Sequence, residues 1–84
     1  YDKLFIDDKG AVSITIINPE NSGVNFTSSF TFYNSKGEYL TGFTIEGSSP
    51  RNSRKTYNLH LNNYKKMKTA FYMKVLGRSG GPGA

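Results

Sequence analysis

The stretch Val24-Asn25-Phe26-Thr27-Ser28-Ser29-Phe30-Thr31-Phe32-Tyr33, followed by Asn34-Ser35-Lys36-Gly37 and then by residues 39–46 (Tyr-Leu-Thr-Gly-Phe-Thr-Ile-Glu), decides the fold class. Phe26, Phe30 and Phe32 recur at even spacing among polar residues, so they fall on one side of a strand whose other side meets water. Tyr39, Phe43 and Ile45 repeat the pattern and are expected to share one face. Between the two runs, Asn34 can bond the following backbone through its side chain, and Gly37 supplies a positive φ. The two runs therefore read as a hairpin of strands 24–33 and 39–46.

The same grammar extends outward. Val12, Ile14 and Ile16 alternate with Ser13 and Thr15 up to Asn18, and Tyr57, Leu59 and Leu61 alternate over 55–61. A short first strand at 3–7 meets the second through Asp7-Asp8-Lys9-Gly10, which repeats the turn chemistry of Asn34 to Gly37. Asn18 to Gly23 and Gly47 to Ser53 read as longer loops, because Pro19 and Pro50 cannot continue a ladder. The segment 62–76 is ambiguous. Tyr64, Met67, Phe71 and Val75 fall at helical spacing, while Phe71, Met73 and Val75 also alternate. Lys65, Lys66 and Lys68 would oppose the macrodipole in the first turns of a helix, so a loop to Lys68 and a strand over 69–76 is favoured over a C-terminal helix. The expected architecture is all-β, a small antiparallel β-sandwich of about six strands; the alternative is α+β with a helix around 62–76.

Residues 1–76 read as a single domain and residues 77–84, Gly-Arg-Ser-Gly-Gly-Pro-Gly-Ala, as a flexible Gly-rich tail or linker. A fold of that size has a thin core that cannot enclose a large pocket, which weighs against most enzymes. Six tyrosines and six phenylalanines suit a pleated surface. The absence of Cys rules out disulfides and thiolate metal sites. No apolar run is long enough to span a bilayer as a helix. A start at Tyr1 with neither Met nor an apolar leader reads as a processed protein or an excised piece.

Charge is unevenly placed. Residues 1–48 carry three lysines against six acids, a net −3, while residues 49–84 carry eight cations and no acid, a net +8. Two readings stand: an electropositive face for an anionic partner, or cations and acids that meet across paired strands and guard sheet edges. The stretch from Arg51 to Lys74 also interleaves tyrosines, so Arg51, Arg54, Lys55, Tyr64, Lys65, Lys66 and Lys68 are the candidate binding residues, with Tyr57 and Tyr72 as further rings.

Catalytic groups are not expected. His60 is the lone histidine, turned from the core by alternation and without a Ser-His-acid pattern around it. Asp7 and Asp8 are explained by the turn, no phosphate-cradling Gly loop occurs, and no metal or other cofactor is called for. Asn25-Phe26-Thr27 matches a glycosylation sequon but lies inside an expected strand.

Phe30-Thr31-Phe32-Tyr33-Asn34, followed by Ser35-Lys36-Gly37-Glu38-Tyr39-Leu40, resembles the FxLyD-type domains, whose name spells the matching strand; Phe32 stands for the Leu and Asn34 for the Asp. The similarity runs over about residues 12–76, through the strand ending in Asn18, Tyr57-Asn58-Leu59 and the closing strand 71–75. It departs at Pro50-Arg51-Asn52-Ser53, where the family has a Pro-Gly-Glu-like turn. The resemblance implies an immunoglobulin-like sandwich, an extracellular or cell-envelope location in a bacterium, and no catalytic residues to carry over. The expected function is thus a non-catalytic binding or structural module of a secreted or cell-surface bacterial protein. Its partner would be a protein or cell-surface polymer, with no membrane span. The alternatives are a polyanion or nucleic-acid binder using the basic half, with nucleic acid the less favoured partner, and a self-associating assembly module, the chain being otherwise a monomer.

Overall fold

The computed structural model describes residues 1–82. Six strands run in chain order: β1 (Lys3–Ile6), β2 (Ala11–Asn18), β3 (Val24–Tyr33), β4 (Tyr39–Ser49), β5 (Ser53–His60) and β6 (Tyr72–Pro82), with a 3-10 helix at Tyr64–Thr69. They form two antiparallel three-stranded sheets, ordered β1-β2-β5 and β4-β3-β6. That is the order of strands A-B-E and C′-C-F in an immunoglobulin-like sandwich, so the all-β expectation holds.

The core is the layer that the alternation marked. Ile14 and Ile16 of β2 meet Phe30 and Phe32 of β3 and Ile45 of β4. Leu4, Ile6, Phe26, Phe43, Tyr57, Leu59, Met67 and Met73 pack around them. The rim is satisfied locally. Thr15 on the outer face of β2 shares a hydroxyl bond of 3.0 Å with Thr56 on β5, and every buried side-chain polar atom among the described residues has a partner.

Both hairpin turns form as read, and by the same device. The Asp7 carboxylate accepts the Lys9 and Ala11 amides at 2.9 and 2.8 Å, and the Asn34 side-chain oxygen accepts those of Lys36 and Glu38 at 2.9 Å each. Gly10 and Gly37 sit at φ +89° and +82°. The Ala11 and Lys9 amides, in that order, hold the Asp7 carboxyl below its ordinary pKa of 3.8. A depressed folded pKa contributes stability that is complete above the unfolded value and is lost as pH falls through the folded one. Asp7→Asn keeps the acceptor oxygen and removes the titration. The stability difference between wild type and Asp7→Asn is therefore expected to be constant above about pH 5 and to shift against wild type below the unfolded value near 4. Urea midpoints from pH 2 to 7 read this out; parallel curves would remove Asp7 from the acid response.

The structure departs from these readings in the segment 62–82 and in β4. The helix considered over 62–76 does not form. Met67 of the 3-10 segment packs against the core while the half-buried Tyr64 meets His60 edge-on at 6.2 Å; the segment ends where Ala70 turns extended (φ −62°, ψ 129°) and the Phe71 amide donates to the Tyr33 carbonyl at 2.8 Å, tying the chain to β3. The favoured loop and strand are shifted as well: the loop closes into the 3-10 turn, and β6 begins at Tyr72 rather than at 69. Nor does the strand end at Leu76, since β6 pairs with β3 as far as Val24↔Pro82; of the glycine-rich tail, residues 83–84 lie outside the described residues. Finally, Tyr39 does not share the core face of Phe43 and Ile45. Phe32 pairs with Thr41 but Tyr33 with Tyr39, so Leu40 is an extra residue in β4, a bulge that turns Tyr39 outward. Thr41 takes the inward place and is buried. β4 also runs on to Ser49, shortening the loop before β5.

Candidate functional site

The structure splits the basic residues between the two ends of β5. Arg51 lies in the exposed turn before that strand, and Arg54 at its start pairs with Asp2, 2.6 Å from guanidinium nitrogen to carboxylate. Lys55 points to the other face, its ammonium 5.0 Å from the centroid of the Tyr57 ring. Tyr64, Lys65, Lys66 and Lys68 follow the far end of β5, about 25 Å away at 3.3 Å per residue. There Tyr64, Lys65, Met67 and Lys68 share a groove of about 260 Å³ with Asp7 and Asp8. Acids are thus interleaved with cations at both ends, and no single surface gathers all seven candidates. Exposed pairs of this kind contribute at most about 1 kcal/mol.

His60 is exposed on the outer side of β5. Its Nε2 donates to the Lys9 carbonyl at 3.0 Å, and Nδ1 lies 3.2 Å from the Asn62 side-chain oxygen. Asp7 is engaged by its turn. Among the described residues, no group of three or more Asp, Glu or His side chains could hold a metal ion. Asn25 of the sequon lies within β3 and accepts a hydrogen bond from the Ser48 hydroxyl at 2.7 Å.

A different surface concentrates recognition chemistry. The Leu40 bulge sets Tyr39 opposite Tyr33, and Tyr33 is opposite Tyr72 on its other side, so three tyrosines form one row across the outer face of β4-β3-β6. The Tyr33 and Tyr72 rings stack, 5.0 Å between centroids and 12° between planes. Tyr39 meets Tyr33 edge-on at 6.3 Å, and Phe71 meets Tyr72 edge-on at 6.5 Å. Lys74, two residues along the same face from Tyr72, holds its ammonium 5.1 Å from the centroid of the Tyr33 ring. Tyr39 and Phe71 are 64% and 74% exposed.

Beside the row lies a shallow depression of about 340 Å³, lined by Ser29, Thr31, Tyr39, Gly42 and Thr44, with Phe30 and Phe43 beneath. Gly42 leaves it open and admits the neighbouring backbone: a Cβ there would stand 2.5 Å from the Phe30 carbonyl oxygen. Ser29 and Thr44 share a hydroxyl bond of 3.1 Å on its floor. The site is therefore ring faces next to a hydroxyl-lined dish, with one cation at its edge.

Sequence reasoning named Tyr72 as a ring for stacking but missed Tyr33, Tyr39, Phe71 and Lys74 as a group. The available signal was the placement of Tyr33 and Tyr39 on either side of the Asn34–Gly37 turn, where cross-strand neighbours must meet. Compared with known protein families, with curated proteins and with solved structures, the chain has no match in any of the three.

Proposed function

We propose that this domain is a non-catalytic binding module of a secreted or cell-surface bacterial protein, and that it holds a cell-surface polymer against the outer face of β4-β3-β6. The observation that carries the reading is the row Tyr39-Tyr33-Tyr72 beside the hydroxyl-lined dish over Gly42. Rings offer stacking surface at low entropic cost, and hydroxyls offer hydrogen bonds in either sense to a polymer rich in the same groups. The resemblance of Phe30 to Leu40 to FxLyD-type domains supports the location outside the cytoplasm. A polyanion-binding reading draws less support, because the cations stand in two separated groups with acids beside each.

The test is co-sedimentation with purified bacterial peptidoglycan, together with titration of soluble cell-wall polysaccharides. Tyr39→Ala and Phe71→Ala are each expected to weaken binding about tenfold, equivalent to about 1.4 kcal/mol, while Lys66→Ala leaves it unchanged. Binding that survives both aromatic replacements, or that is absent for every polymer, would overturn the proposal.

A further inference from the structure

Strand β6 has a neighbour on one side only. β3 pairs with it along its length, from Tyr33↔Tyr72 to Val24↔Pro82, and among the described residues no strand follows its other edge. In the immunoglobulin-like order, strand G occupies that place and closes the flank of the sandwich. Among the described residues no strand takes that place. Val75 pairs with Phe30 and so faces inward with it, yet Phe30 is 1% exposed and Val75 44%. Farther along the same flank, a groove of about 330 Å³ is lined by Ile16 of β2, Val24 and Phe26 of β3 and Arg78 of β6, with Tyr1 and the single acid Glu20 also on its wall. β4, at the opposite edge of the sheet, is likewise paired on one side only, but its inward Thr41 and Ile45 are buried and leave no apolar seam there.

We propose that the free edge of β6 accepts an extended, acidic segment of a partner protein as a seventh strand, with alternate apolar side chains of that segment entering the seam over Val75 and the groove beside Phe26. Backbone hydrogen bonds along an open edge supply affinity, and the pockets that take every second side chain supply selectivity. Charge chooses the partner. Lys74 and Arg78 pair with Thr31 and Thr27, which puts both cations on the outward side of β6, and no acid occurs after Glu46. Acidic residues at the outward positions of the incoming strand would face these cations. A second copy adding its own β6 to this edge would set like charges across the new ladder, which is unfavourable. The site is the flank of the sandwich; it adjoins the aromatic face at Lys74 and lies on the far side of the sheet from Tyr39.

The probe is a capped nine-residue peptide in which glutamate and valine alternate. Its controls are a peptide of the same composition with the two residues in blocks, the alternating peptide with alternate backbone amides N-methylated in either phase, and a lysine-valine version. The alternating Glu-Val peptide is expected to bind with Kd of order 100 µM, or about −5.5 kcal/mol, and to slow hydrogen exchange at β6 amides. The block and lysine versions and one of the N-methylated phases should bind at least tenfold more weakly. Arg78→Glu should reverse the preference between the Glu-Val and Lys-Val peptides, and Tyr39→Ala should leave the titration unchanged, which separates this site from the aromatic row. Equal binding of alternating and block peptides, binding that leaves β6 exchange untouched, or no binding at about 1 mM would overturn the proposal. So would protection of β6 that rises with protein concentration in the absence of peptide, which would assign the edge to a second copy.

Discussion

Asn18→Leu is expected to lower the free energy of unfolding by about 4 kcal/mol, most of what a domain of this size possesses. Asn18 ends β2 and is 4% exposed. The two hydrogens of its side-chain nitrogen serve the carbonyls of Ser22, Pro50 and Ser49 at 2.9, 3.0 and 3.2 Å, one of them shared, and its oxygen accepts the Glu20 amide at 3.0 Å. One amide thereby ties the loop after β2 to the turn between β4 and β5, across 32 positions of sequence. Leucine has similar volume but satisfies none of these groups, and each buried carbonyl or amide left without a partner costs about 1–3 kcal/mol. Asn18→Asp retains the acceptor for Glu20 while aiming a carboxylate at three carbonyl oxygens, so it should be as damaging at neutral pH and regain stability when acid protonates it. Urea denaturation followed by tyrosine fluorescence measures both. A loss below 1 kcal/mol for Asn18→Leu would mean that water replaces the amide without cost.

The second large effect is expected at Gly10, and Gly37 is its internal control. Both glycines hold φ near +85° in equivalent turns, so alanine at either position incurs the left-handed strain of about 1 kcal/mol. Only at Gly10 is there also no room. A Cβ there would stand 2.6 Å from the Leu61 carbonyl and 2.9 Å from Tyr64 Cβ, whereas at Gly37 the nearest atom is the Tyr72 hydroxyl at 3.6 Å. The Gly10 carbonyl also accepts the Leu61 amide at 2.7 Å, so the first hairpin cannot shift away without breaking that bond. Gly10→Ala is expected to cost about 3 kcal/mol and Gly37→Ala about 1 kcal/mol. Equal losses at the two sites would show that Tyr64 and the 3-10 turn yield to the methyl group.

These two positions also show how much of the molecule can be read from its residues. Gly10 and Gly37 are legible because the turn chemistry is local: an Asx residue, two polar residues and a glycine specify the loop without reference to the rest of the chain. The inward sets Val12-Ile14-Ile16 and Phe30-Phe32 are legible because period two is likewise local. Tyr39 was misplaced because its direction depends on the register between two strands, and one extra residue at Leu40 inverts every position before it. β6 continues through Gly77 and beyond for a related reason, since pairing with β3 overrides the poor strand propensity of glycine. The helical spacing of Tyr64 and Met67 is a true signal of one short turn that adjacent alternation hides. The aromatic row is assembled from β4, β3 and β6, so it exists only once both registers are set.

The position of β3 at the centre of its sheet bears on how the chain is made. From Val24 to Tyr33 it contains no charged residue, and such β-prone, uncharged windows are prone to intermolecular stacking when left bare. The β4 side can be covered at once by the hairpin, but the β6 side waits for residues 72–82. At ordinary synthesis rates of 5–20 residues per second, the gap of 39 residues between Tyr33 and Tyr72 amounts to about 2–8 s. For that interval the nascent chain carries an uncharged, β-prone strand with one row of backbone N–H and C=O groups unpaired.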